Sequence, residues 1–136
     1  MIGAVGYAIT HLLLERHRGK AQRLTIVDAL LTETVENLAI CTSPNIREMW
    51  WLAPFKLEAY RAYKGQLWFL PTKVLTQLIA TVIVLEGCNI IIQVYQSREG
   101  FGQPVDKKPT PIPEYLIKQL EFVKEELTTW KKEHTR

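Results

Sequence analysis

The sequence predicts an all-α protein, a bundle of four to five helices around a long central helix at about residues 71–98. Three observations favour this fold class. Apolar residues recur at spacings of three and four over several segments, which is the pattern of amphipathic helices. Prolines and glycines gather between those segments, where they end helices. The chain has 136 residues, 47% of them hydrophobic, which suits one domain with its own core.

The first segment, residues 1–14, is apolar and contains no acid, lysine or arginine. Basic residues follow it, whereas a signal peptide would place them before the apolar region. Because a spanning helix needs about 20 apolar residues, we interpret the segment as a short anchor or the second half of a spanning helix. The alternative is an amphipathic first helix that packs into the domain.

The juxtamembrane segment, residues 15–23, accounts for the net charge of +3. Its basic residues are Arg16, Arg18, Lys20 and Arg23. Beside an anchor they would hold the following chain on the cytoplasmic side and attract anionic lipid headgroups. No further basic cluster of the kind that binds nucleic acid follows, so no nucleic-acid partner is predicted.

The helical core is predicted over residues 24–98. A first amphipathic helix covers 24–42 and ends before Pro44. Its predicted apolar stripe is Leu24, Val27, Leu31, Val35 and Leu38. A loop over 43–54 and a helix over 55–69 follow. This region is dense in aromatic residues, which indicates core packing, a membrane-interface belt or a partner surface. The candidate interface aromatics are Trp50, Trp51, Phe55 and Trp68.

The segment 71–98 is the longest apolar run in the chain. Its many β-branched residues allow a second interpretation as two strands about a turn at Gly87. Its length and a helical stripe of apolar residues favour a helix. A second membrane span is less favoured, because the glutamate, asparagine and two glutamines within it would be costly in lipid.

The C-terminal part consists of a linker and one more helix. Residues 99–113 hold two glycines and four prolines and are predicted to be a non-helical linker. Residues 114–136 form an amphipathic helix. Its predicted apolar face is Leu116, Leu120, Val123, Leu127 and Trp130.

No motif of catalysis or cofactor binding occurs. The three histidines share no helix face with other ligands at metal spacing, so neither a metal nor a cofactor is predicted. Cys41 and Cys88 lie in apolar helical patterns and are expected to be buried free thiols.

Polar residues on apolar helix faces are the remaining candidate site. They are Glu33, Asn37, Glu86 and Asn89. We interpret them as a hydrogen-bonded network that fixes helix register, because buried polar groups need partners. The alternative is an enzyme that uses Glu33 and Glu86 as a carboxylate pair.

Several short motifs resemble a type of small bacterial protein of unknown function, with an N-terminal membrane helix and a compact helical domain. They are Glu33 with Asn37-Leu38, the run Phe55-Lys56-Leu57-Glu58-Ala59-Tyr60, Leu70-Pro71, and Asn89. Thr34, Leu57 and Tyr60 depart from the residues of that pattern. The resemblance spans about residues 1–95 and implies an anchored cytoplasmic module, without a reaction.

The sequence therefore predicts a non-enzymatic, membrane-associated interaction module, with residues 1–23 at the membrane surface and a protein partner or a second copy as its ligand. The alternatives are a soluble all-α assembly protein and the carboxylate-pair enzyme.

Overall fold

The computed structural model describes residues 2–42, 54–100 and 114–135, and in these ranges the chain is all-α, as predicted. The helices are α1 (Ile2–Thr42), α2 (Glu58–Tyr63), a 3-10 helix (Lys64–Phe69), α3 (Thr72–Gly100) and α4 (Glu114–His134). Because α3 continues through Gly87, the alternative of two strands about that residue is wrong. The loop at 43–53 and residues 101–113 of the predicted linker lie outside the described residues.

The helix α1 is continuous over 41 residues, although the sequence divided it into an anchor, a basic segment and a core helix. At 1.5 Å per residue it is about 60 Å long. No proline interrupts it, and the single mid-helix Gly19 costs only about 1 kcal/mol relative to alanine.

The buried face of α1 is rotated from the predicted stripe. Its buried residues are Ile26, Val27, Leu30, Thr34, Asn37 and Cys41. Val35 is exposed, and Leu31 and Leu38 are only partly buried. Apolar residues occur on both sides of this helix, so the tertiary packing decides which side faces the core.

The helix α4 packs antiparallel to α1. Lys131, near the end of α4, pairs with Asp28 at 2.7 Å. Glu121, earlier in α4, borders a groove with Leu38, which lies further along α1 than Asp28. All five predicted core residues of α4 are buried. Near its end Trp130 contacts Phe69, with 5.3 Å between ring centroids, which places the start of α3 beside the end of α4.

The helix α3 forms one wall of the bundle. One face contributes Val74, Leu78, Val82, Leu85 and Ile92 to the core. The opposite face is open, with Ile83 and Ile90 each 63% exposed. The predicted central helix is therefore enclosed on one side only. It also extends through Glu99 and Gly100, which the sequence assigned to the linker.

A single helix of the described chain, over Thr72–Val94 in α3, is long and apolar enough to cross a membrane by length and composition. Of the 18-residue stretch in this segment that meets these criteria, 33% is buried within the protein. Core helices of soluble proteins also meet these criteria of length and composition. The criteria are therefore met equally by a helix that packs in the bundle and by a membrane-spanning helix.

The segment 54–57 precedes α2 and is not helical, which corrects the predicted helix over 55–69. Phe55 and Leu57 are buried and Lys56 between them is exposed. This alternation is typical of an extended chain. The helical part then begins at Glu58 and changes to a 3-10 helix at Lys64.

Candidate functional site

Two asparagines bind the backbone of the segment 54–57. The Asn37 side chain accepts from the Lys56 N–H and donates to the Lys56 carbonyl, both at 2.8 Å. The Asn89 side chain accepts from the Phe55 N–H at 2.8 Å and donates to its carbonyl at 3.0 Å. Each side-chain amide thus satisfies both backbone groups of one residue, as a neighbouring β-strand would. We call this arrangement the asparagine clamp.

The clamp connects α1 and α3 through the segment that lies between them. Backbone groups of successive residues in an extended chain point to opposite sides. Phe55 therefore pairs with Asn89 of α3, and Lys56 pairs with Asn37 of α1. Both asparagines belonged to the predicted polar network, and both form hydrogen bonds, with backbone groups as their partners and not other side chains. Their role in fixing helix register stays a prediction.

Glu33 completes the network from α1. Its Oε1 accepts from the Ala59 N–H at 2.9 Å and its Oε2 from the Tyr60 N–H at 3.2 Å. Leu57, which precedes α2, provides no side-chain cap. Glu33 therefore caps α2 from another helix, and its negative charge is favourable beside the free N–H groups of a helix start.

The fourth predicted member, Glu86, is not part of this network. It is exposed on α3, one turn before Asn89. The void beside Glu33 has a volume of about 20 Å³ and Glu86 does not line it. That volume holds about one water molecule. Glu33 and Glu86 thus share no pocket for a substrate there, and the predicted membership of Glu86 in the core network is wrong.

The apolar N-terminal part of α1 projects from the bundle. Every side chain of residues 4–14 is exposed, with Tyr7 at 74% and Leu12 at 64%. We call residues 4–14 the arm. The alternative of a first helix packed into the domain is therefore wrong for this segment. Tyr7 and His11 stack on each other along the arm, with 6.1 Å between ring centroids.

A cleft lies where the arm joins the bundle, and we call it the root cleft. It is lined by Gly19, Gln22, Arg23, Ile26, Gln66, Trp68 and Phe69. The Arg23 guanidinium lies 4.9 Å from the Trp68 ring centroid and 5.6 Å from that of Phe69. The side-chain amide nitrogen of Gln22 donates to the side-chain oxygen of Gln66 at 2.7 Å.

No protein-family model, curated protein or solved structure matches this chain. Its function is therefore inferred from its own geometry, and the resemblance to anchored bacterial proteins stays a prediction.

The other predicted site residues fall into three groups. Lys20 and Arg23 are exposed beside the arm, and the side chains of Arg16 and Arg18 lie outside the described part of the chain. Trp68 is 73% exposed, as an interface aromatic requires. Phe55 is a core residue, because its backbone is bound by the clamp and its ring is buried. Trp50 and Trp51 lie outside the described residues.

The two cysteines are free and buried. Burial, and to a smaller extent the neighbouring Cys88, raises the pKa of Cys41 to about 12. Burial also raises the pKa of Cys88. A reactive cysteine has a lowered pKa, so neither thiol is suited to be a nucleophile. Within the described residues no group of three metal-ligating side chains occurs.

Sequence reasoning missed two features. The glutamines of the root cleft are polar residues on exposed surfaces, which carry no signal in a sequence. Residues 55–57 were predicted to be helical, so the need of their backbone groups for other hydrogen-bond partners was not recognised. Asn37 and Asn89 on apolar helix faces are the sequence signal that could have indicated it, because polar side chains there need hydrogen-bond partners.

Proposed function

We propose that the protein is a non-enzymatic, membrane-associated helical module that faces the cytoplasm and presents an interaction surface there. The exposed arm is the observation that carries this proposal. Leu12, Leu13 and Leu14 are each at least half exposed to solvent. Transfer of half of a leucine side chain out of water contributes about 1 kcal/mol. The arm is continuous with α1, so lipid contact would hold the whole bundle.

The residues around the arm's root support the same placement. Lys20 and Arg23 follow the arm on its bundle side, where basic residues favour the cytoplasmic face. Trp68 is exposed beside Arg23, and tryptophan favours the headgroup level of a bilayer. An apolar arm followed by basic and aromatic side chains is the order expected of a membrane attachment.

The bundle itself would act as a platform for a partner. Ile79, Ile83 and Ile90 on the outer face of α3 are exposed, and exposed apolar patches are typical of interaction surfaces. The side chains of Glu33, Asn37 and Asn89 already form hydrogen bonds with backbone groups of this protein. Because these groups hold the fold together, a binding role for the protein is favoured over catalysis by them. The side chain of Asn89 in α3 forms hydrogen bonds with the backbone of Phe55 in the segment 54–57. These bonds support the interpretation that α3 packs in the bundle and does not span a membrane.

The alternative is a soluble all-α assembly protein. The isoleucines of α3 favour it, because two copies could bury them against each other without any membrane. The arm would then also pack at a self-association interface.

Membrane attachment is tested by changing the arm. Leu12→Asp together with Leu13→Asp is expected to move the protein from the membrane pellet to the soluble fraction, because a carboxylate is costly in lipid. Ile83→Asp together with Ile90→Asp is the matched control, since it changes two exposed apolar residues outside the arm. This control is expected to stay in the pellet.

Two results would contradict the proposal. One is recovery of the unmodified, folded protein in the soluble fraction after lysis. The other is a homogeneous small oligomer by light scattering without detergent, lost in both the α3 variant and the arm variant. That second result would favour the assembly protein.

A further inference from the structure

We propose that the root cleft binds the phosphate of one anionic phospholipid headgroup, with Arg23 as its principal ligand. The proposal rests on the membrane attachment proposed above and specifies the lipid class. It differs from general attraction between a basic segment and a membrane, because it assigns one phosphate to one set of side chains.

The geometry of Arg23 suits it to a phosphate. Its guanidinium lies against Trp68 and Phe69, at 4.9 and 5.6 Å from the ring centroids. A cation–π contact holds a guanidinium through its charge, so its N–H donors can form two parallel bonds to a phosphate. In the described part of the chain no carboxylate forms an ion pair with Arg23. The side chain is thus oriented by aromatic rings and not neutralised by an acid.

The two glutamines add neutral donors. The bond from Gln22 to Gln66 uses the carbonyl oxygen of Gln66, so the two N–H donors of the Gln66 amide remain outside that bond. The cleft has a volume of about 150 Å³. Pockets for drug-sized ligands measure about 300–1,000 Å³. A phosphate with part of its glycerol is therefore a better match in size than a complete small-molecule ligand.

The position of the cleft along α1 matches the depth of a headgroup layer. Gly19 lines the cleft and follows Leu14 by five residues, which is about 7–8 Å along the helix. The headgroup layer of one leaflet is about 5–8 Å thick. Side chains of a helix tilt toward its N-terminus, so Arg23, one turn further on, would reach toward the same layer. Trp68 would lie beside the phosphate at the interface.

The principal experiment measures binding of the full-length protein to vesicles. Vesicles of phosphatidylcholine alone are compared with equimolar phosphatidylcholine and phosphatidylglycerol. Arg23→Gln is the test variant, and Lys132→Gln is the matched control, because it removes one exposed positive charge near the same end of the bundle. Removal of one charge near an anionic surface is expected to weaken binding about fivefold.

For Arg23→Gln we expect a loss of about fiftyfold on the anionic vesicles, since the charge and the hydrogen bonds of one specific site are lost together. Binding to neutral vesicles should change less than twofold in both variants. An equal effect of the two substitutions would show a general electrostatic attraction and would overturn the proposal that the root cleft binds a phosphate.

A second pair of variants avoids the removal of Arg23. An added side chain at position 19 would start in open space, because no atom lies within 4 Å of a Cβ built there. Gly19→Glu places a carboxylate one turn before Arg23, where it pairs with the guanidinium and competes with a phosphate. Gly19→Gln has nearly the same shape without the charge. We expect Gly19→Glu to lose the preference for anionic vesicles and Gly19→Gln to keep it.

The source of the phosphate is tested with soluble probes. Inorganic phosphate and glycerophosphoglycerol are titrated against vesicle-bound protein, and the indole resonance of Trp68 is followed by NMR. We expect glycerophosphoglycerol to compete at lower concentration than inorganic phosphate. Equal competition by inorganic phosphate would identify a free-anion site and overturn the headgroup assignment.

The outcomes separate the two proposals. A protein that binds neutral and anionic vesicles equally well, with no extra effect of Arg23→Gln, overturns the root cleft but leaves membrane attachment intact. A folded protein that binds neither kind of vesicle overturns both.

Discussion

The asparagine clamp provides the sharpest stability test, through the substitution Asn37→Asp. This change keeps the shape of the side chain and the oxygen that accepts from the Lys56 N–H. It replaces the Nδ2 donor, which bonds to the Lys56 carbonyl at 2.8 Å, with a second oxygen. The clamp therefore loses one bond, and two acceptors face each other in a site where Asn37 is only 2% exposed.

The expected cost is about 3 kcal/mol at pH 7. A buried group left without its hydrogen bond costs about 1–3 kcal/mol, and the buried carboxylate adds a desolvation penalty. One kcal/mol changes the melting temperature of a domain of this size by about 4 °C. The midpoint should accordingly fall by about 10 °C. The control is Thr32→Ala on the exposed side of α1, with a change within about 0.5 kcal/mol.

The cost should depend on pH. A protonated Asp side chain can donate to the Lys56 carbonyl again, so folding favours the neutral form and raises the pKa of this carboxyl above its unfolded value of about 3.9. The stability from the neutral carboxyl is complete below that value and is lost as the pH rises through the folded pKa. The difference in stability between variant and parent should therefore narrow as the pH falls toward about 4 and should not change further below that value.

The assay is thermal unfolding of the full-length protein in mild detergent, followed by far-ultraviolet circular dichroism between pH 3 and pH 8. A variant as stable as the parent at pH 7 would contradict the structural role of the Asn37 bonds. That role would also be contradicted by a loss of the same size at every pH, because the clamp explains the loss through one missing proton.

Two further predictions concern the capping carboxylate and the thiols. Glu33→Ala should cost about 2 kcal/mol, because two N–H groups at the start of α2 lose their acceptor. Glu36→Ala, which removes an exposed ion pair to Lys56, should cost clearly less in the same thermal unfolding experiment. Equal costs would contradict the cap. Burial raises the pKa of Cys41 from 9.0 to about 12, so its thiol should resist alkylation at pH 8 until the protein is unfolded in urea. For the same reason the free energy of unfolding should fall as the pH rises from about 9 toward 12. Rapid alkylation of the folded protein would contradict the burial of Cys41.

The positions of the long helices could be predicted from local pattern. The spacing of apolar residues identified α4 and its buried face, and the length of the apolar run identified α3 against the strand alternative. The exposure of the arm was one of two open interpretations. Residues 1–14 are too short for a complete membrane span and have no clear polar face. Their sequence pattern therefore does not show whether this helix contacts lipid, the protein core or solvent.

The core network was predicted in part, because helix periodicity leaves small rotations undecided. Glu86 and Asn89 differ by only about 60° around α3. The sequence placed both on the buried side, whereas the structure leaves Asn89 partly buried with its amide bonded to the Phe55 backbone and exposes Glu86. The same uncertainty of rotation affected Val35 on α1, which is exposed although it belonged to the predicted stripe.

The amino-acid sequence was sufficient to predict that this protein is helical, where its long helices lie, and that an apolar segment is followed by basic residues. These properties depend on residues that are close together in the chain, so local patterns predict them. The packing of the helices was needed to show that Asn37 and Asn89 bind consecutive backbone residues, and that Arg23 and Trp68 meet at the root of the arm. Those contacts join residues far apart in the chain, and they exist because unpaired backbone groups and exposed rings found partners when the helices packed.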